Sequence, residues 1–139
     1  MKHMFIFILL FVALPVIAQQ DETIDYYGGE MYQVLFNGDT PITRPAGQVQ
    51  LLSYNKFYKS YTVLFKTQDT TDGINKTIFS YLSENVENGK TIIYYIESSS
   101  KDVYFASPDT LERERNILFI RKEPIEGVIY GIAIKNVTK

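Results

Sequence analysis

The chain has no cysteine and no tryptophan, and its single histidine is His3. Without thiols there is no disulfide framework, and with His3 set aside neither a Cys-His nor a Ser-His-Asp nucleophile can be assembled. The usual zinc sites and histidine-ligated haem are excluded on the same ground. Helical periodicity is also missing, since no window keeps apolar residues at helical spacing for a useful length. Positive charge is not in excess: 14 Lys and Arg stand against 16 Asp and Glu, a formal net charge of −2. A basic footprint is therefore lacking, and no nucleic-acid partner is expected.

What is present begins with an apolar run from Met4 to Ile17, preceded by Lys2 and His3. Small side chains at Val16 and Ala18 occupy the positions that a signal peptidase reads. Together with an apolar core of about 14 residues, shorter than the roughly 20 of a membrane span, they form the pattern of a secretory signal peptide. Residues 1–18 are expected to be removed. The mature chain would then be secreted or periplasmic, with no membrane span after cleavage. An exported domain without disulfides must hold together by packing alone, which favours a bacterial envelope setting.

Residues 19–29 read as a flexible leader ending in the Gly28-Gly29 bend, and residues 30–139 as a single β domain. Eight runs rich in Val, Ile, Tyr, Phe and Thr follow, each bounded by turn residues. They are Met31–Phe36, Gln48–Tyr54, Ser60–Lys66, Asn75–Leu82, Thr91–Glu97, Val103–Ala106, Ile117–Lys122 and Val128–Val137. Asn88-Gly89, the polar stretch from Ser98 to Asp102, and Pro124 to Gly127 supply short connections. The expected class is all-β, an antiparallel meander of about eight strands closing as a small barrel, with a β-sandwich as the alternative.

Two of the runs nearly repeat, YQVLFN at Tyr32–Asn37 and YTVLFK at Tyr61–Lys66. Alternation gives one face of the second as Tyr61, Val63 and Phe65; the same pattern in the first selects Tyr32, Val34 and Phe36, and in the last run Tyr130, Ile132 and Ile134. These three sets are expected to point inward. Thr91–Glu97 is apolar on both faces, so its outer face needs cover, from the leader, from a partner chain or from a second sheet.

Several motifs dissolve on inspection. Ser98-Ser99-Ser100-Lys101 spells S-x-x-K without a helix start or partner motifs. Gly89-Lys90-Thr91 lacks the first glycine of a phosphate loop and precedes a strand. Asp69-Thr70-Thr71-Asp72-Gly73 lacks the spacing and closing glutamate of a calcium loop. Glu84 with Glu87, and Glu112 with Glu114, are the available carboxylate pairs, and neither lies in a stretch that would form an apolar pocket around an acid. No enzymatic activity, metal or cofactor is expected.

Aromatic residues are the feature suited to binding. All 11 Tyr and six of the 9 Phe lie beyond residue 18, and tyrosine joins a large apolar body to a polar tip. An eight-strand meander of this size resembles the lipocalin-like (calycin) family of small exported barrels. Where that family commonly carries Gly-x-Trp, this chain has Gly29-Glu30-Met31-Tyr32. The resemblance implies a non-catalytic carrier or scavenger with one small apolar ligand in its barrel, and Tyr32, Phe36, Tyr61, Phe65, Tyr95 and Tyr130 as the residues lining it. The alternative function is a secreted or envelope protein-interaction module, an inhibitor or assembly factor, using exposed aromatics or a sheet edge.

The intact mass of the exported protein should lack residues 1–18 and begin at Gln19; recovery of Met1 in a membrane fraction would overturn that reading.

Overall fold

The computed structural model describes residues 23–38, 40–67 and 73–139; the signal-peptide segment and the Asp69–Asp72 part of the discarded calcium loop lie outside them. Nine strands are formed: β1 Thr23–Tyr27, β2 Glu30–Phe36, β3 Pro41–Asn55, β4 Ser60–Thr67, β5 Asn75–Glu87, β6 Lys90–Glu97, β7 Val103–Ala106, β8 Ile117–Arg121 and β9 Ile129–Lys135. Among the described residues one short helix, α1, spans Asp109–Glu114. The wall runs β3-β2-β9-β8-β7-β6-β5-β4, and β4 pairs back to β3. Every pairing is antiparallel. The result is a closed eight-stranded meander, a barrel rather than a sandwich, with β1 as one extra strand.

β3 is the strand on which closure depends. Its first half pairs with β2, its second half with β4, and Leu51 to Asn55 also pair with β1. β1 and β2 thus lie end to end along one edge of β3, bent at Gly28-Gly29. Gly29 has φ +122°, and a Cβ there would run into the Val137 side chain and the Lys135 carbonyl oxygen. At Gly47 a Cβ would collide with the Lys66 carbonyl oxygen, so only glycine lets β3 and β4 meet there.

The stretch read as a flexible leader is therefore partly structural. Tyr26 is buried in the core and Ile24 packs against it. The outward groups of β1 are tied down too, with Ser53 Oγ donating to Asp25 at 2.7 Å. The sequence signal failed here because five residues between polar Gln19–Glu22 and two glycines give too little alternation to read.

Aromatic rings fill the middle of the barrel. Tyr61, Phe79, Tyr95 and Phe119 are at most 1 % exposed. Phe79 and Phe119 stack with centroids 3.9 Å apart and planes 3° from parallel, while Tyr61 and Tyr95 meet the Phe119 ring edge-on at 5.6 and 5.7 Å. Each buried ring contributes about 2 kcal/mol or more by removal from water. Val63, Leu52, Ile117 and Ile134 complete the core around them.

Inward rows agree with the sequence for β4, where Tyr61 and Val63 are buried and Phe65 packs on the core, and for β9, where Ile134 is buried and Ile132 packs on the core. They disagree for β2. Met31 pairs with Ile134, and Val34 pairs with Gly131, one residue out of step with the inward row of β9. Met31 enters the core, and Tyr32, Val34 and Phe36 face outward. Alternation could not settle the choice because both faces of β2 are apolar. The two near-repeats thus present opposite faces, which speaks against a duplication.

Ser107–Asn116, between the expected strands Val103–Ala106 and Ile117–Lys122, contains α1. Leu111 is its buried anchor, Asp109 and Glu112 sit in its first turn, and Arg115 ends it in the left-handed region at φ 61°. Acids near the start and Arg113 near the end suit the helix dipole. Six residues are too few to show a helical period.

Charge placed on the two faces should separate them. Val63→Asp or Met31→Asp is expected to cost 3 kcal/mol or more, on the order of a buried unpaired charge, and Thr62→Asp or Tyr32→Asp less than about 1 kcal/mol. Thermal melts check this, and equal losses from Met31 and Tyr32 would refute the assigned register of β2.

Candidate functional site

The six residues selected from sequence do not form one site. Tyr61 and Tyr95 are buried members of the central ring cluster, and Phe65 packs against that core. Tyr130 pairs with Leu35 on the inward side of the wall, half-buried. Tyr32 and Phe36 stand on the opposite, outer surface. There the Tyr32 hydroxyl donates to Glu30 at 2.9 Å, and Lys135 Nζ sits 5.3 Å from the Tyr32 ring centre.

Register places a continuous apolar sheet on that outer surface. Outward Tyr94 of β6 pairs with Phe105, and Ile96 with Val103. Phe105 pairs with Ile120 of β8. Leu118 pairs with Ala133, and Ile120 with Gly131. Gly131 in turn pairs with Val34 of β2. These side chains are half-buried for the most part, and Ala133 and Val34 are buried. The Tyr94 and Phe105 rings lie 6.0 Å apart, with Lys122 Nζ 5.6 Å from the Tyr94 ring centre. The outer side of β3, β4 and β5 is mixed instead, with Ser53, Thr62, Lys66 and Lys76 interspersed among Leu51, Leu64 and Ile78. The expected cover of the outer face of β6 by the leader is not found for its described part, since β1 is built into the wall beside β3.

Two adjoining hollows interrupt the apolar surface beside α1. The larger, about 470 Å³, is floored by Ile92, Phe105, Leu118 and Ile120, with Glu87 and Lys90 at its rim. The smaller, about 310 Å³, is lined by Val34, Phe36, Leu118 and Ala133, with Glu114 and Lys135 at its rim. Thr110 and Leu118 line both. Of the six residues chosen from sequence, Phe36 lines a hollow. Ile92, Phe105, Leu118 and Ile120 were missed. The signal that could have found them was the second apolar row of their strands.

The ionisable groups are fastened rather than poised. Burial would raise the Glu97 carboxyl, but donors from Thr77, the Ser99 and Ser100 N–H groups and the Ser100 hydroxyl outweigh it and hold the pKa at about 2. The Ser99 and Ser100 N–H groups lie 2.7 and 2.9 Å away, and Thr77 Oγ1 also donates to the carboxylate. The serine run that spelled S-x-x-K therefore serves as a cradle for a buried carboxylate. Glu84 is lowered by the Tyr81 hydroxyl and by Lys59, which it meets at 3.1 Å. Arg121 binds Asp102 at 3.1 Å and holds its carboxyl down. Burial pushes the Tyr61 and Tyr95 phenols well up, so both stay protonated.

Arg115 differs from its charged neighbours. Glu112, Arg113 and Glu114 are exposed, but one guanidinium nitrogen of Arg115 is buried without a hydrogen-bond partner, and the group lies 5.6 Å from the Tyr26 ring centre. A cation over an aromatic face recovers part of the lost hydration.

Among the described residues no group of three or more His, Cys, Asp or Glu side chains could hold a metal ion, and no helix is long and apolar enough to cross a membrane. Comparison with protein families, with curated proteins and with solved structures found no match to this chain.

Glu97 gives the fold an acid dependence. Its carboxyl lies at about 2 in the folded chain against 4.5 as its ordinary value. The stability it contributes is full above pH 4.5 and is lost as pH falls from there toward 2, about 3 kcal/mol at most. Glu97→Gln should lower stability at pH 7 by about 2 kcal/mol, because amide hydrogens would face the serine donors. It should also flatten the acid loss, which urea melts at pH 7, 4 and 2.5 would register.

Proposed function

We propose that the protein is an exported, non-enzymatic interaction module that binds a protein partner through the apolar outer face of β6 to β9 and β2. The observation that carries this reading is the uninterrupted apolar register across five strands, opening into two hollows around Leu118. Contiguous apolar surface of this kind, rimmed by charged residues, is characteristic of protein-binding faces. Packed rings at the centre of the barrel favour this function over the carrier with an interior ligand. Kinship with the lipocalin-like family is carried into the proposal by topology alone. Export rests on the Met4–Ile17 run and its flanks.

The sheet edges support the face rather than themselves as the contact. Among the described residues β4 pairs with β3 from Gly47 onward, leaving Pro41 to Ala46 without it, and β5 runs past Phe79, its last residue paired with β4. Pro41 and Pro45 suit an unpaired edge, and the bulge between Tyr81 and Ser83 twists the other. These are devices that discourage strand addition.

A second reading is supported by the larger hollow, whose volume of about 470 Å³ falls within the range of small-molecule sites. A small apolar ligand would then sit on the outer wall, over Phe105 and Leu118.

A photo-reactive phenylalanine analogue at position 118 should cross-link the exported protein to a protein in its own secretory fraction. The same analogue at position 62, on the mixed face, should not. Absence of any protein adduct at 118, or equal adducts at both positions, would overturn the proposal.

A further inference from the structure

We infer that the β3–β4 turn, Lys56-Phe57-Tyr58-Lys59, is a lipid-contact tip that seats its end of the barrel on an anionic membrane surface. The inference is independent of the protein-binding face and rests instead on the export reading of the Met4–Ile17 run.

The turn is built from residues that turn formation does not call for. Tight turns favour Gly, Asn, Asp, Ser and Pro, yet this one sets two aromatic rings at its tip and puts Lys59 in the left-handed region at φ 54°. Phe57 and Tyr58 are 58 % and 57 % exposed. Their rings meet edge-on at 5.0 Å, and the Tyr58 N–H donates to Asn55 Oδ1 at 2.9 Å, which holds the turn in shape. A lysine stands on each side of the pair, and both are exposed. Aromatic rings settle at the level of lipid headgroups, and lysines beside them lay their stems along the apolar zone with the ammonium among the phosphates. Lys59 also meets Glu84 at 3.1 Å, so the charge offered is small and the rings carry the contact.

Topology brings this turn to the membrane side. In the meander the β3–β4, β5–β6 and β7–β8 connections lie at one end of the barrel, and the β6–β7 and β8–β9 connections at the other. The described chain begins at the first of these ends, because Thr23 pairs with Asn55, the residue just before the turn. Ile17, which closes the apolar run, stands six residues before Thr23. Six residues reach about 20 Å at full stretch. While the run lies in a membrane during export, the Lys56–Lys59 turn is therefore held beside the lipid surface, and the tip keeps that contact once the run is removed.

The chain has no tryptophan, so one placed at position 57 is a lone reporter. In the exported protein, Phe57→Trp should shift its emission to the blue on vesicles of phosphatidylglycerol and phosphatidylcholine in equal parts, and bromine-labelled acyl chains should quench it. Ile125→Trp is the control, since Ile125 is also an exposed apolar residue but lies in the β8–β9 turn at the opposite end. It should show neither effect. Phe57→Ser with Tyr58→Ser should lower co-sedimentation with the same vesicles about 10-fold or more, and thermal melts should find the fold intact. Lys56→Glu should weaken binding to the mixed vesicles and leave binding to phosphatidylcholine alone unchanged.

A tryptophan at 57 that ignores vesicles, equal responses at 57 and 125, or undiminished co-sedimentation of the double serine variant would overturn the inference. Intact mass separates it from the export reading. A chain beginning at Gln19 whose position 57 is silent keeps export and rejects the tip, whereas one beginning at Met1 whose position 57 responds and position 125 does not rejects cleavage and keeps the tip.

Discussion

An eight-stranded barrel encloses a lumen about as wide as opposed side chains can fill, and here the filling is one ring laid against another. Phe79 belongs to β5 and Phe119 to β8, which are separated in the wall by β6 and β7, so their stack at 3.9 Å spans the lumen rather than joining neighbours. Tyr61 and Tyr95 close around it edge-on. The rings set the separation of opposite walls, and the wall follows with bulges at Met31/Tyr32, Val49/Leu51 and Tyr81/Ser83, which bend strands where a flat sheet could not close. The Tyr95 hydroxyl has no hydrogen-bond partner inside. Its ring is held by packing at some expense to its polar tip.

The inside is committed to packing, and the outer surface differs between the two sides of the wall. Strands β1 and β3 to β5 alternate in the manner of a sheet wet on one side. Strands β6 to β9 and β2 carry apolar residues on both faces, as a buried sheet does. Their outer residues touch one another across the register but have no further layer of the described chain upon them, apart from the single short helix at one end. That asymmetry distinguishes this barrel from one whose whole exterior is solvated.

Much of this was legible in residues. Asn88-Gly89, the serine-rich turn and Pro124–Gly127 marked hairpins that all exist, and the eight runs correspond to β2 through β9. Alternation placed Tyr61 and Val63 inside because Thr62 and Lys66 on the other face are polar. It failed at β2 because Met31 and Leu35 compete with Val34 and Phe36 on equal terms, and the decision came from pairing with Ile134 on a strand about 100 residues away. Pro41 and Pro45 precede the expected run Gln48–Tyr54, and β3 can begin there because, among the described residues, its first part pairs only with β2. For the candidate face the sequence showed the symptom, a strand apolar on both sides at Ile92 to Ile96. It could not show that Phe105, Leu118 and Ala133 would stand in the same row, since that depends on which strands become neighbours.

The barrel is fastened by its two ends. Val137 is buried beside Gly29, the Thr138 N–H donates to the Tyr27 carbonyl at 3.0 Å, and Asn136 reaches Glu30, 106 residues earlier in the chain. β2 likewise waits for β9. A chain that emerges from a ribosome N-terminus first can form the local hairpins β5-β6 and β6-β7 as they appear, but its first strands have no complete wall to join until β9 is free. Closure of the barrel is in this way deferred until β9 and the residues to Thr138 are free. The topology imposes that delay by geometry alone.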